Sequence, residues 1–420
     1  MGICYTNIIV TGCDGKSLIN VMKGKCGEND YKGMFGLFND SFPPILDGVT
    51  LTVENYAYWL AQKGMKPCVV TPWNPEKGEY PYDVMRYFSL PIWNRYPYRY
   101  GYPKFDPLIW HRLRKTRFSL VHCHCPFSSG RLGVYVKRKQ NIPLIGTFHS
   151  KYREDLAHSF RKMPWCVPII MNRILEFFNA CDEVWIPQAQ VEPTVREYGY
   201  KGRLTVVENG NDFASLAGDD VGGFKIKSRR EIGIKDNEIA LLFVGQHIWE
   251  KGLDTILDTL DRLKGKVDFK MNFIGTGYAF DDIRERIESS GLQDRVKMHG
   301  VIKDRKTLAR YYAASDLFLF PSFYDNAPLV VREAAAMATP SILLRGSTAS
   351  EVIWDGKNGF LVDKNPADYA QLVEKLSRDR SLIKEAGAGA RETLVRSWEN
   401  VVEEVAQRYQ EIIKRHDFGK

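Results

Sequence analysis

From Tyr31 onward this chain alternates short apolar runs with longer stretches that carry apolar residues at helical spacing. Few folds tolerate that pattern, because strands separated by helices pair in parallel and need the helices as covers. The first half supplies "GMFGLF", "KPCVVTP", "SLVHCHCP", "PLIGTFHS" and "DEVWIP"; the second restarts with "IALLFVGQ", "FKMNFIGTG", "RVKMHGV", "DLFLFPS" and "PSILL". Between them "NGNDFASLAGDDVGGF" is rich in Gly, Asp and Asn, as a linker should be. At 420 residues the chain exceeds one ordinary core, so two doubly wound α/β domains of similar size are expected. The pattern sets them at 31–213 and 214–395, with an amphipathic helix over 396–420 and an extension of unknown role over 1–30.

Composition narrows the partners. Lys and Arg number 59 against 51 Asp and Glu, and the resulting charge of +8 is spread along the chain. Such a balance favours phosphorylated small molecules or an acidic membrane face and argues against nucleic acid. Eight cysteines without paired spacing read as free thiols of a reducing, cytoplasmic compartment. Apolar stretches such as "PWCVPIIMNRILEFF" are broken by Pro, Asn and Arg and fall short of the roughly 20 residues a spanning helix needs. A soluble or peripheral protein is expected.

Ligands of doubly wound sheets bind beyond the carboxyl ends of the strands, so the residues after each apolar run carry the functional weight. "LFLFPSFYDNAPLVVREAAAMATP" reads as a buried strand, a loop with Asp325, and a helix that begins near Pro328, a favoured first-turn residue. Backbone N–H groups at that helix start suit an anion such as a diphosphate. Glu333, one turn further in, can accept hydrogen bonds from a ribose diol; the plainer alternative is an exposed Glu on an ordinary helix. "FVGQHIWEKGL" sets Gly245 at a strand end and Lys251 at a helix entrance, where an ammonium can meet a phosphate. "FIGTGY" adds Gly275 and Gly277, although turn chemistry explains either stretch alone.

In the first half, Gly48 opens a helix after a proline-containing loop, and His149 ends "LIGTFHS", where it either packs or points into the crevice. "VHCHCP" tempts a metal reading, but strand alternation puts His122 and His124 on one face and Cys123 and Cys125 on the other, so four ligands cannot converge. The chain also lacks a D-x-D triplet, one common way to hold a divalent ion on a nucleotide diphosphate. Residues 93–115, "WNRYPYRYGYPKFDPLIWHRLRK", are either a packed surface loop with a basic helix or an acceptor- or membrane-touching surface.

Taken in order, "DSFPPILDGVTLTV", "VHCHCPF", "TFHSKY", "ENGND", "LLFVGQHIWEKGLD", "FIGTGY", "YYAASDLFLFPSFYDNAPLVVREAAAMATP" and "DGKNGFLV" resemble the retaining glycosyltransferases of family four, over nearly all of residues 31–415. The resemblance implies the GT-B fold, two Rossmann-like doubly wound parallel-sheet domains with a cleft between them. It implies transfer of a hexose from a nucleotide diphosphate sugar, a UDP-sugar or GDP-mannose, to a hydroxyl acceptor, with no metal or other cofactor. The family carries two acids with seven residues between them, usually both Glu, and the pair here is Asp325 and Glu333.

On those terms Asp325, Asn326, Ala327, Pro328 and Leu329 would hold the donor sugar and diphosphate, Glu333 the ribose, and Lys251 the diphosphate. Gly48 would let the N-domain backbone approach the diphosphate, and His149 would contact the donor sugar, so that His149, Asp325 and Lys251 form the catalytic set. Two departures stand out. Gln246 replaces an Arg that usually meets the diphosphate, and Asp325 is one methylene shorter than Glu. "FHSKY" resembles the His-Thr-x-x-Tyr stretch of members that glycosylate diacylglycerol, with Ser150 for Thr and Tyr152 closer in spacing. The implied partners are a nucleotide sugar, a lipid or glycan acceptor and an anionic membrane surface, at the inner face of the membrane. Two other classes stay open: a nucleotide-sugar isomerase or hydrolase on the same fold, and a non-catalytic sugar-nucleotide-binding module.

Overall fold

The computed structural model describes residues 33–45, 47–76, 78–92, 98–218 and 220–418. The readings placed on residues 1–30, and on 93–97 of the aromatic and basic segment, lie outside the described residues.

Fifteen strands are described. In the first half they are β1 (Met34–Phe38), β2 (Pro67–Pro72), β3 (Asp83–Tyr87), β4 (Ser89–Pro91), β5 (Arg99–Gly101), β6 (Phe118–Cys123), β7 (Leu144–Thr147), β8 (Glu183–Ile186) and β9 (Leu204–Val206). In the second they are β10 (Ile239–Val244), β11 (Phe269–Ile274), β12 (Val296–Met298), β13 (Leu317–Phe320), β14 (Ser341–Leu344) and β15 (Phe360–Val362). They form a seven-stranded sheet in the order β3-β2-β1-β6-β7-β8-β9, a six-stranded sheet in the order β12-β11-β10-β13-β14-β15, and a β4-β5 hairpin. Every pairing of the six-stranded sheet is parallel. All ten anticipated runs supply strands. The others that join the sheets escaped because β3 is half exposed and polar, while β9 and β15 are only three residues long.

The chain packs as two compact units, one running through Gly146 with Ala180–Asp182 and Ala406–Lys420, the other made of Thr147–Asn179 and Glu183–Val405. In the second unit β10, β13 and β14 are buried at every position, as parallel strands covered on both faces must be. The helix Leu253–Leu263 shows why the cover fits: Leu253, Ile256, Leu257, Leu260 and Leu263 fall on one stripe and are all buried. Each such side chain contributes about 1.5–3 kcal/mol when fully withdrawn from water.

The Gly-, Asp- and Asn-rich stretch is not a plain linker. It holds the helix Phe213–Ala217 and the start of the helix Val221–Ile232. Its polar residues bond the backbone at these starts: Asn211 Oδ1 accepts from the Phe213 N–H at 2.6 Å, and Asp220 from the Gly223 N–H at 2.8 Å. Phe213 is fully buried in the second unit's core.

The last helix, Trp398–Phe418, contributes to the first unit from Ala406 onward. There Tyr409 stacks on Phe35 with ring centroids 5.8 Å apart, and its hydroxyl is 2.7 Å from His122 Nδ1. His122 and His124 lie ring against ring at 4.1 Å.

Candidate active site

The order of the six-stranded sheet reverses between β10 and β13, and that reversal opens a crevice at their carboxyl ends. β10 leads to Gly245, Gln246 and His247 and on to Lys251; β13 leads to Ser322, Asp325 and Asn326. Two glycines let the backbone close up there. Gly252 adopts a φ of +74°, and a Cβ on it would lie 2.2 Å from the Pro321 carbonyl oxygen. Gly275 has a φ of +133°, and its Cβ would lie 1.9 Å from the Gly245 oxygen. No other residue fits either position.

The crevice brings Lys251 and Asp325 together. Lys251 Nζ is 2.5 Å from Asp325 Oδ1, both side chains are largely buried, and Ser322 Oγ donates to the other carboxylate oxygen at 2.6 Å. Lys251 also lies over the rings of Phe320 and Tyr324, at 5.6 and 5.7 Å. One residue on, Asn326 is buried and its Nδ2 donates to the His149 carbonyl at 3.1 Å. Its Oδ1 is buried and takes no hydrogen bond among the described residues.

The helix starts at Leu329, with the extended Pro328 as its cap rather than its first residue, and no side chain caps its N–H groups. Ala327, Pro328 and Leu329 are all partly exposed. An anion can therefore reach the helix start.

Glu333 is not an exposed residue on an ordinary helix. Its side chain is 9% exposed, Tyr312 donates its hydroxyl to Oε2 at 2.8 Å, and Arg305 Nη2 stands 3.8 Å from Oε1. Burial raises the Glu333 pKa, against the pull of Arg305 and Tyr312 towards the ionised form.

His149 follows β7, is partly exposed, and belongs to the same unit as Asp325. Burial of its imidazole brings the pKa down to about 3, so it is neutral at physiological pH. Gln246 is exposed, and its side chain makes no hydrogen bond among the described residues. Gly48 lies in the other unit, where it is the exposed first residue of the helix Gly48–Gln62, capped by Asp47 through the Thr50 N–H at 2.7 Å. Among the described residues no group of three or more His, Cys, Asp or Glu is arranged to hold a metal ion.

Sequence reasoning passed over four residues of this site. Ser322 ends the strand run "DLFLFPS", and Tyr312 lies just before it in a segment that offered no site residue. Arg305 sits in the charge run "KDRK", which reads as a solvated face. His247 is fully buried: its ring stacks on Phe280 at 5.4 Å and neither nitrogen has a partner among the described residues. Burial takes its pKa down to about 4.

The two doubly wound parallel sheets are those of the GT-B fold. The chain belongs to glycosyltransferase family four: residues 46–214 match the Glycosyltransferase Family 4 model and residues 224–393 the Glycosyl transferases group 1 model. It is 26% identical over 330 residues to an alpha-monoglucosyldiacylglycerol synthase of Streptococcus pneumoniae, covering 78% of this chain and 74% of that one. Against the protein of the same name from Acholeplasma laidlawii it is 24% identical, covering 80% of this chain and 87% of that one. Among solved structures, sucrose-phosphate synthase from Thermosynechococcus elongatus superposes with a TM-score of 0.76 at 19% identity, over 91% of this chain and 100% of that one. Anabaena HepE in complex with UDP and glucose gives 0.71 at 16%, over 90% and 99%.

Proposed function

We propose that this glycosyltransferase is a retaining, metal-independent hexosyltransferase. It moves a hexose from a UDP-sugar, or else from GDP-mannose, to a hydroxyl of a lipid or lipid-linked glycan at an anionic membrane face. The observation that carries the reading is the Lys251–Asp325 pair at the switch point, followed within the same loop by an uncapped helix start. Breaking the bond from the sugar's anomeric carbon to the diphosphate leaves negative charge on the phosphate. An ammonium and a row of backbone N–H groups, fixed in advance, stabilise that charge. With Gln246 neutral, Lys251 carries the side-chain share of the task. The acceptor oxygen bonds to the anomeric carbon on the face the diphosphate leaves, and its proton passes to a phosphate oxygen. His149, held neutral, serves as a hydrogen-bonding partner of the sugar rather than as an acid, and Asp325 and Asn326 hold the sugar's hydroxyls.

The lipid acceptor is supported by the names of the two alpha-monoglucosyldiacylglycerol synthases and by the surface. In the second unit Met163, Trp165 and Ile169 are 45%, 67% and 51% exposed, with Arg161, Lys162 and Arg173 among them. In the first unit Phe105 and Leu108 are 73% and 72% exposed, ahead of Arg112, Arg114 and Lys115. Apolar tips with basic neighbours suit the boundary of an anionic bilayer. Among the described residues no helix is long and apolar enough to cross a membrane.

The test is transfer from labelled UDP-glucose, UDP-galactose and GDP-mannose to diacylglycerol in phosphatidylglycerol vesicles, with and without EDTA, with the product's anomeric configuration read by NMR. An α-linked glycolipid formed in EDTA is expected. A β-linked product would sink the retaining reading, loss of activity in EDTA the metal-independent one, and free sugar as sole product the transferase itself.

A further inference from the structure

Arg305 has no place in the chemistry above, yet its side chain is held from several directions. It opens the helix Arg305–Ala314. Its Nε donates to Asp212 Oδ2 at 2.8 Å and its Nη2 donates to Asp212 Oδ1. The guanidinium lies 4.4 Å from the centre of the Phe213 ring, and that ring meets Tyr312 edge-on at 5.6 Å. Tyr312 donates to Glu333 Oε2, which closes a circuit of four side chains back to Arg305.

One distance in that circuit stands apart. Arg305 is bidentate to Asp212 but remains 3.8 Å from Glu333 Oε1, beyond hydrogen-bond reach. Oε1 accepts no hydrogen bond among the described residues, whereas Oε2 is taken by Tyr312. A guanidinium bonded to Glu333 would occupy the acceptor a diol needs; one held off by a second carboxylate supplies charge through space and leaves the oxygen uncommitted.

We infer that Arg305 is a positioning residue of the ribose site, pinned by Asp212 at a distance that leaves Oε1 of Glu333 available to the donor's ribose. The inference rests on the reading of Glu333 as the ribose ligand. The ionisable groups around Glu333 are Arg305, Tyr312 and Asp212; from the helix packed on its other side, Arg391 reaches the Ala336 carbonyl instead.

Calorimetric titration of UDP and GDP, and of the 2′-deoxy form of whichever binds, tests it on the full chain between pH 5.5 and 8.5. Wild type is expected to prefer the ribonucleotide by about tenfold or more, the worth of a hydrogen bond to a charged acceptor. Arg305→Gln should shrink that preference to within about threefold and move the acid-side loss of affinity to higher pH, as Glu333 loses its counter-charge. Asp212→Asn keeps the cation but frees it to bond Glu333, and should lose the preference while moving the acid-side loss of affinity to lower pH, the opposite direction. A purely structural Arg305 would lower the melting temperature while leaving the preference and the pH limb in place, and that result in both variants overturns the inference. If Glu333→Gln keeps the wild-type preference, or wild type binds neither nucleotide, the underlying reading fails and takes the inference with it.

Discussion

Asp325 and Glu333 sit at either end of one short stretch, each facing a cation, and they are in opposite chemical situations. Asp325 is on a loop and touches Lys251 at 2.5 Å; Glu333 is on a helix, shares a neutral hydroxyl, and sees Arg305 only at 3.8 Å. Asp325 therefore competes with any phosphate for its lysine, while Glu333 keeps an oxygen spare because Asp212 holds its arginine away. Equal spacing in a motif does not make two acids equivalent. What separates them is who else claims the cation.

The harshest way to break the comparison is to remove the cation that the substrate shares. Lys251→Met should lower kcat/KM by about 10²–10³-fold, the range seen when one stabilising donor of a developing anion is lost. Steady-state kinetics on the labelled donor checks it, and a loss below about fivefold would mean that the helix start alone carries the leaving group.

A stability effect must be separated before the acids can be compared across pH. His247 lies on the loop that leads to Lys251, and burial takes its pKa from 6.5 to about 4. The unfolded chain binds a proton in that window and the native chain does not, so stability is full above pH 6.5 and falls as the pH drops towards 4. The loss is ~2 kcal/mol by pH 5. His149, brought down to about 3, pushes in the same direction. His247→Phe, next to Phe280, should flatten the acid side of a melting-temperature profile, and an unchanged profile would show that His247 is solvated in its native state. With the His247 share removed, what remains of the acid limb in nucleotide binding belongs to His149 and Glu333.

Glu333→Gln comes next. A neutral amide still accepts a hydrogen bond but loses the charge, so the KM for the donor should rise about tenfold with kcat little changed. A kcat loss of that size at constant KM would move Glu333 from the ribose to the reacting end.

These contrasts mark where the sequence stopped being readable. The ten strand runs were legible because a parallel strand covered on both faces is apolar at nearly every residue. Lys251 and Asp325 were legible as candidates because they lie in the loops that leave such runs, and Glu333 because it lies in the helix that follows. Glu333's burial was not, since an acid in "VVREAAA" can face either way on a helix, and its partner Tyr312 lies 21 residues upstream. Arg305 and Asp212 are 93 residues apart, and neither carries a local signal of the other. The stretch 209–224 misled for a related reason: Asn211 and Asp220 suit a flexible linker and a helix start equally well, and only the burial of Phe213 decides.

The smallest effect is the sharpest. Asp325→Asn removes the charge that now neutralises Lys251 while leaving a side chain of nearly the same shape. A nucleoside diphosphate without sugar then meets an ammonium that no carboxylate holds, so its affinity should rise by about threefold, the scale of one partly exposed ion pair. Transfer should fall in the same variant, because the hydroxyls of the sugar lose a charged acceptor. Calorimetry with UDP or GDP and kinetics with the full donor read the two halves separately. Opposite signs would establish that Asp325 serves the sugar at the expense of the phosphate. A fall in both would mean instead that the carboxylate's main work is to orient Lys251, and Asp325 would then resemble Asp212 rather than Glu333, an acid whose value lies in where it puts a cation.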